Sequence, residues 1–463
     1  YYEVKHVYRP LHFDLLNMDD SQEFLNIKVT NRDFFTGTDE YDYKARVVTP
    51  TSGPEKGFFN IENPDENGII RIPAEPIEHF CPICNAQQSG NRRSGSVLQS
   101  VIRRLRNVPN SGNNQSDNVL LPEIGVLQIF AQLKDDALWA DSGHVVAYEQ
   151  FFEWQSNVPA LEWNNTDGSS IKKRTKGIIP VDGGYSVTCG KSRYTVDGKG
   201  ALTSWKWNGR EMLAGPVEPY FWKPANDNQR HNDYERTMGV WRRVAQEREF
   251  LSSEARTVVR ERAQFRQIRF NFELSVGAEL TLCYEFSEDR VSFSADYTPQ
   301  ADMIPSIPKF GVRMRLPAEY DSVRWSGRGP WENYPDRKQG ALFGNYTLPV
   351  DEYRTDYIYP QDNSNRSDCL CFSLLRADQS QQGPALSVYS PQFFNLRIWN
   401  CSEEDIENAR HNFELPKRDY LNINIDSELI GVGGNDAWGA RTEPQYIPSG
   451  NEPHHLSFIL TLE

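Results

Sequence analysis

Residues 268–297 read IRFNFELSVGAELTLCYEFSEDRVSFSADY. Ile268, Phe270, Phe272 and Leu274 alternate with polar residues, as do Leu280, Leu282, Tyr284 and Phe286, and then Val291, Phe293, Ala295 and Tyr297. A period of two sends successive side chains to opposite faces of an extended chain, so each run predicts a strand with one face on a core. The pattern recurs at Leu25, Ile27 and Val29, and at Leu456, Phe458, Leu460 and Leu462. Asp197-Gly198 lies between Tyr194/Val196 and Leu202 and supplies the residues of a short hairpin turn. Helices alternating with strands in βαβ fashion are absent, which excludes a doubly wound sheet or an α/β barrel. The prediction is an all-β chain of sandwich architecture.

Outward from that stretch, 463 residues suit two or three domains. The first, from Tyr1 to about Trp154, has the size of one immunoglobulin-like sandwich. A polar stretch over 155–177, with Asn164-Asn165-Thr166-Asp167-Gly168 and Lys172-Lys173-Arg174, reads as a linker. Residues 178–463 then form a second, larger sandwich. Within the first domain the strand signal stops over 73–118, where Val97, Leu98, Val101, Ile102 and Leu105 recur at helical spacing among Arg92, Arg93, Arg103, Arg104 and Arg106. This stretch is expected to be a surface loop with a short helix rather than a basic binding arm.

Hydrophobic residues make up 38% of the chain, and no run approaches the roughly 18 apolar residues of a membrane span. A net charge of −14 disfavours nucleic acid, whose binding depends on neutralising phosphates, and is indifferent to a neutral sugar. Seven scattered cysteines, an odd number, argue against a disulfide framework. Cys81-Pro-Ile-Cys84 is half of a zinc-ribbon pattern with no second half, and it reads as free thiols or a local bridge. The chain starts at Tyr1 with no initiator Met or signal peptide, which reads as a cut inside a longer polypeptide and leaves localisation open.

Three local motifs go further. Trp139-Ala140-Asp141-Ser142-Gly143-His144 leads into Ala147-Tyr148-Glu149-Gln150-Phe151. Gly327-Arg328-Gly329-Pro330-Trp331-Glu332-Asn333-Tyr334-Pro335-Asp336-Arg337 is followed by Leu348-Pro349 and Tyr359-Pro360-Gln361. Gly431-Val432-Gly433-Gly434-Asn435-Asp436-Ala437-Trp438-Gly439 lies near the C-terminus.

Together these resemble the C-terminal half of the glycoside hydrolase family 2 β-galactosidases of the large lactose-cleaving type. Glu3-Val4-Lys5 through Pro10-Leu11-His12-Phe13 resembles the start of that family's fourth domain, and Leu213-Ala214-Gly215-Pro216 through Asn226-Asp227-Asn228 an early part of its fifth. Residues 73–118 depart from the family, as do Gln229-Arg230, where a Gly is usual, and Leu429, where a Gln or His is usual. The resemblance implies an immunoglobulin-like sandwich followed by a large mutarotase-like supersandwich. It implies the C-terminal, non-catalytic portion of a retaining enzyme that hydrolyses terminal β-D-galactosides such as lactose. Such enzymes need two carboxyl groups about 5 Å apart, and in this family both come from a barrel domain with no counterpart here. No catalytic residue and no metal ligand is therefore expected on this chain, which alone is expected to be inactive. The family's Mg or Na ions belong to the barrel. The expected partners are the missing N-terminal catalytic domains, a β-galactoside and further copies in a homo-oligomer.

By resemblance, Trp438, with Asn435 and Asp436 beside it, contacts the sugar. The physical logic is that an indole buries the C–H face of a pyranose at little cost in conformational entropy. Glu332 and Asp336 are expected to hold their turn by hydrogen bonds and by pairing with Arg337 or Arg328. His144 reads as a structural histidine at a strand start, and alternation sends His454 and His455 to opposite faces. Two other readings stand beside this one. A free-standing carbohydrate-binding sandwich would saturate with sugar by itself. A mutarotase or epimerase would need a His and a carboxylate converging on the large sandwich.

Overall fold

The computed structural model describes residues 1–18, 23–50, 57–73, 123–155, 161, 163, 170–172, 177–260, 263–376, 385–436 and 439–462. Cys81, Cys84, nearly all of the basic 73–118 stretch and Trp438 lie outside the described residues. Among the described residues the chain is all-β, with only short helices beside the strands. It divides into two units, Tyr1–Asn157 with Gln339–Asn345, and Val158–Lys338 with Tyr346–Glu463.

The first unit is a two-sheet antiparallel sandwich. Its described strands are β1 (Leu11–Met18), β2 (Phe24–Asn31), β3 (Tyr41–Val48), β4 (Phe59–Ile61), β5 (Ile69–Pro73), β6 (Glu123–Leu133) and β7 (Val145–Gln155). One sheet runs β1-β2-β5 and the other β4-β3-β6-β7. Successive pairs thus switch sheets as in an immunoglobulin-like Greek key. Leu11, Phe13, Ile27 and Val29 from the first sheet meet Tyr43, Ala45 and Ile129 from the second, all buried. Gln339–Asn345 joins this unit from far along the chain. There the buried Gln150 donates to Ala341 O at 3.0 Å and accepts from Phe343 N at 2.8 Å. Local patterning gives no sign of this, because hydrogen bonds to a segment some 190 residues away leave no periodicity behind.

In the second unit the strands are antiparallel and the pairings close on themselves. The opening stretch folds as read. Ala263–Leu274, Ala278–Phe286 and Arg290–Pro299 are consecutive neighbours, and the last pairs with the C-terminal His454–Leu462, Phe293 opposite Phe458. Ile268, Phe270, Phe272, Leu280 and Leu282 are essentially inaccessible. The opposite face is covered in part: Gln267 and Glu285 are buried, joined by a 2.6 Å hydrogen bond. At full burial each of these apolar side chains is worth about 1.5–3 kcal/mol.

The hairpin at Asp197 forms, with two differences. Its loop spans five residues between Val196 and Leu202, and the left-handed residue is Gly200 rather than Gly198. The Asp197 carboxylate accepts from Lys199 N and Ala201 N at 3.0 and 2.9 Å, which sets that wider turn. Inside the 155–177 stretch expected as linker, Ser170–Lys172 is a strand paired with Thr257–Val259. Trp163 is buried there, under the Arg256 guanidinium at 4.0 Å. A polar composition gives no sign of this short strand or of the buried aromatic before it.

Candidate functional site

The Gly-rich loop leaves strand Tyr420–Leu429 and returns through Thr442 to the turn Pro444–Tyr446. Its backbone is held from several sides. Asp336 accepts from Val432 N at 2.9 Å with one carboxylate oxygen and from Gly433 N at 2.8 Å with the other. Asn226 and Asn228 donate to Val432 O at 3.1 and 3.4 Å, and Thr442 Oγ1 donates to Gly431 O at 3.0 Å. The approach of Asp336 demands glycine at 431, where a Cβ would lie 2.4 Å from the carboxylate carbon. Gly434 has φ +127°, a conformation that side-chain-bearing residues rarely adopt.

The anchoring residues come from the segments singled out in the sequence. Asn226 caps the short helix Asp227–Arg230 in a reciprocal capping box with Gln229. Gln361 accepts from Asp227 N at 2.8 Å, and the Arg230 guanidinium lies 3.8 Å from the Tyr359 ring centre. The Asn-Asp-Asn, Tyr-Pro-Gln, Tyr-Pro-Asp-Arg and Gly-rich segments thus converge on one place.

Glu332 and Asp336 divide the work differently from the expectation. Glu332 does pair with Arg337, at 2.6 Å, and also accepts from Tyr357 OH and Ser364 N. Asp336 clamps the glycine loop, a contact 96 residues away that no local reading shows. Arg328 instead binds Asp368, at 2.5 Å.

Asn435 and Asp436 are exposed on the same loop. Asn435 Nδ2 donates to Glu443 at 2.6 Å, and Asp436 accepts from Ala440 N at 2.9 Å. Both residues tie the outgoing arm to the returning one. His454 is buried, with Nε2 2.7 Å from Ser449 O, whereas His455 is exposed and 2.6 Å from Asp296. The two rings do occupy opposite faces.

Behind the loop lies a buried chain of charges that sequence reasoning missed. Lys223 hydrogen-bonds Gln229 at 2.8 Å and faces Asp362 at 3.6 Å. Arg397 joins Asp362 to Asp426 at 2.5 Å each, Asp426 meets Lys309 at 2.8 Å, and Tyr334 OH donates to Asp362 at 2.9 Å. Asn424 donates to Glu403 at 2.8 Å, and Glu403 pairs with Arg313 at 3.2 Å. Burial pulls the Lys223 and Lys309 ammonium groups down to about 8, against the pull of Asp362 and Asp426. Burial alone would raise the Asp362 carboxyl, but Arg397 and Lys223 outweigh it and hold it below its usual range. The available signal was faint: Lys309 and Arg313 flank Phe310 and Val312, and Arg397 stands between Leu396 and Ile398. Among the described residues no group of three or more His, Cys, Asp or Glu is arranged to hold a metal ion.

Residues 189–460 match the family model described as "Beta galactosidase small chain". The chain belongs to this family. Among curated relatives, the β-galactosidase of Priestia megaterium is 27% identical over 342 residues, covering 72% of this chain and 31% of that protein. The β-galactosidase of Halalkalibacterium halodurans is 28% identical over 336 residues, covering 71% and 32%. This small-chain protein therefore spans about a third of the length of those relatives, and it corresponds to their C-terminal portion. Among solved structures, a putative aldose 1-epimerase from Escherichia coli covers 64% of the chain at 11% identity and TM-score 0.35. A galactose mutarotase-like protein from Lactobacillus casei covers 62% at 9% identity and TM-score 0.36. At these values the likeness decides nothing about function.

Proposed function

We propose that this chain is the C-terminal, non-catalytic portion of a retaining β-galactosidase acting on terminal β-D-galactosides such as lactose. The catalytic carboxylates, and any Mg or Na ion, belong to a barrel domain outside the chain, and the small-chain unit completes the sugar pocket and supports assembly of the oligomer. The observation that carries this reading is the clamped loop. Asp336, Asn226, Asn228 and Thr442 hold its backbone, while Asn435 and Asp436 tie its outgoing arm to its returning one. A backbone so fixed costs no binding free energy to order when the loop meets a sugar.

Two measurements test the reading. The purified chain should release no chromophore from a nitrophenyl β-galactoside in a host lacking its own enzyme, and measurable turnover would refute its non-catalytic assignment. In the full-length protein, Trp438→Ala should raise KM for lactose at least about tenfold, a loss of roughly 1.4 kcal/mol. Unchanged kinetics would remove the loop from the pocket.

A further inference from the structure

The first unit has an open groove of about 710 Å³ at one end of its sandwich, within the range of small-ligand sites. The loop joining β6 to β7 forms one wall. That loop is closed by its own hydrogen bonds: Ala137 N to Ala140 O at 2.8 Å, Ser142 Oγ to Lys134 O at 2.6 Å, and Gly143 N to Leu133 O at 2.8 Å. At its tip stands Trp139, 68% exposed, with the His144 ring edge-on to it at 5.4 Å and 83°. Lys5 Nζ lies 3.2 Å from His144 Nε2, and burial together with that ammonium lowers the imidazole's proton affinity. A neutral ring that accepts from Lys5 results.

Carboxylates share the groove. Asp136 gives one oxygen to Ser142 N at 2.9 Å and keeps the other free of that bond. The carboxylates of Glu40 and Asp135 line the groove with no hydrogen-bond or ion-pair partner among the described residues. Arg9 brings no net positive charge, because Glu149 holds it at 2.5 Å.

We propose that this groove binds a neutral saccharide, at a site separate from the glycine loop and independent of the function proposed above. The indole offers a rigid apolar platform for a pyranose C–H face. Unpartnered carboxylates accept from vicinal hydroxyls, and Lys5 donates to a ring or hydroxyl oxygen. The excess of carboxylates repels phosphorylated or acidic ligands. An apolar polypeptide face would cover the same carboxylates without satisfying them, at a desolvation cost that sugar hydroxyls avoid.

Calorimetric titration of the whole chain with uncharged β-linked trisaccharides of galactose and of glucose tests this. Saturable binding is expected for at least one, weakened about tenfold or more by Trp139→Ala and largely restored by Trp139→Phe. Trp139 is exposed, so its truncation leaves the core intact, and circular dichroism of the variant checks this. The proposal is overturned if no trisaccharide saturates, or if Trp139→Ala binds as wild type. It is equally overturned if raising protein concentration shields Trp139 from iodide quenching, which would make the groove a protein interface.

Discussion

At the residue scale the decisive side chain is Asp336. A carboxylate accepting two backbone amides makes charge-assisted bonds, each stronger than a neutral one, and here both oxygens serve one turn. Asp336→Asn keeps the shape but puts an amide donor against one of those N–H groups. Its expected cost is about 1–3 kcal/mol for the orphaned donor. Amide exchange should quicken at Val432 and Gly433 while the strands of the unit keep wild-type protection. Unchanged exchange at those amides would mean that Asn226, Asn228 and Thr442 suffice. The residue was legible as part of a distinctive string, but its partner was not, because the contact is tertiary.

At the element scale the strands are more buried than a period of two implies. Alternation identified them because one face is apolar, but in Lys309–Pro317 and Leu386–Trp399 the other face is buried too and carries charges. Lys309, Arg397, Asp426 and Asp362 are almost wholly inaccessible, so each depends on its partners. Lys309→Met removes one cation and leaves Asp426 to Arg397 alone. Breaking a buried pair from one side typically costs about 3–5 kcal/mol. Urea unfolding should show a loss of that size with an unchanged slope, and a loss below about 1 kcal/mol would mean that Arg397 neutralises Asp426 unaided. Sequence patterning flags such residues only as interruptions, since it registers polarity and not the partner that satisfies it.

At the scale of the whole molecule, pH sensitivity follows from what the core contains. Burial pushes the Cys189 thiol up to about 11 and those of Cys283 and Cys401 to about 12, and it raises Cys369 well above its ordinary value. An unfolded thiol ionises near about 8.5, so above that pH the folded state holds more of these protons. Stability from these groups is complete below about pH 8.5 and is lost as pH climbs towards their folded values. Lys223 and Lys309, lowered to about 8, act in the opposite sense between there and the unfolded value, but they are two against four. The melting temperature should therefore fall between about pH 8 and about pH 10, and Cys283→Ala with Cys401→Ala should make the fall shallower. A flat profile in the unaltered protein would show that the two lysines balance the thiols.

The sequence by itself determined the class of the protein. Period-two patterning is a property of neighbouring residues, so strands Ala263–Leu274, Ala278–Phe286 and Arg290–Pro299 could be read directly. Likewise, the distinctive strings around Asp336 and Gly431 carried the family. Only the tertiary structure decided what those strings do for each other. It brought Asn226, Asp336, Gln361 and the glycine loop together, grafted Gln339–Asn345 onto the first unit and buried the charges behind the loop. The physical reason is range. Strand propensity and turn chemistry act within a few residues, whereas clamps, ion pairs and burial join residues tens to hundreds apart, and one chain read alone holds no record of those pairings.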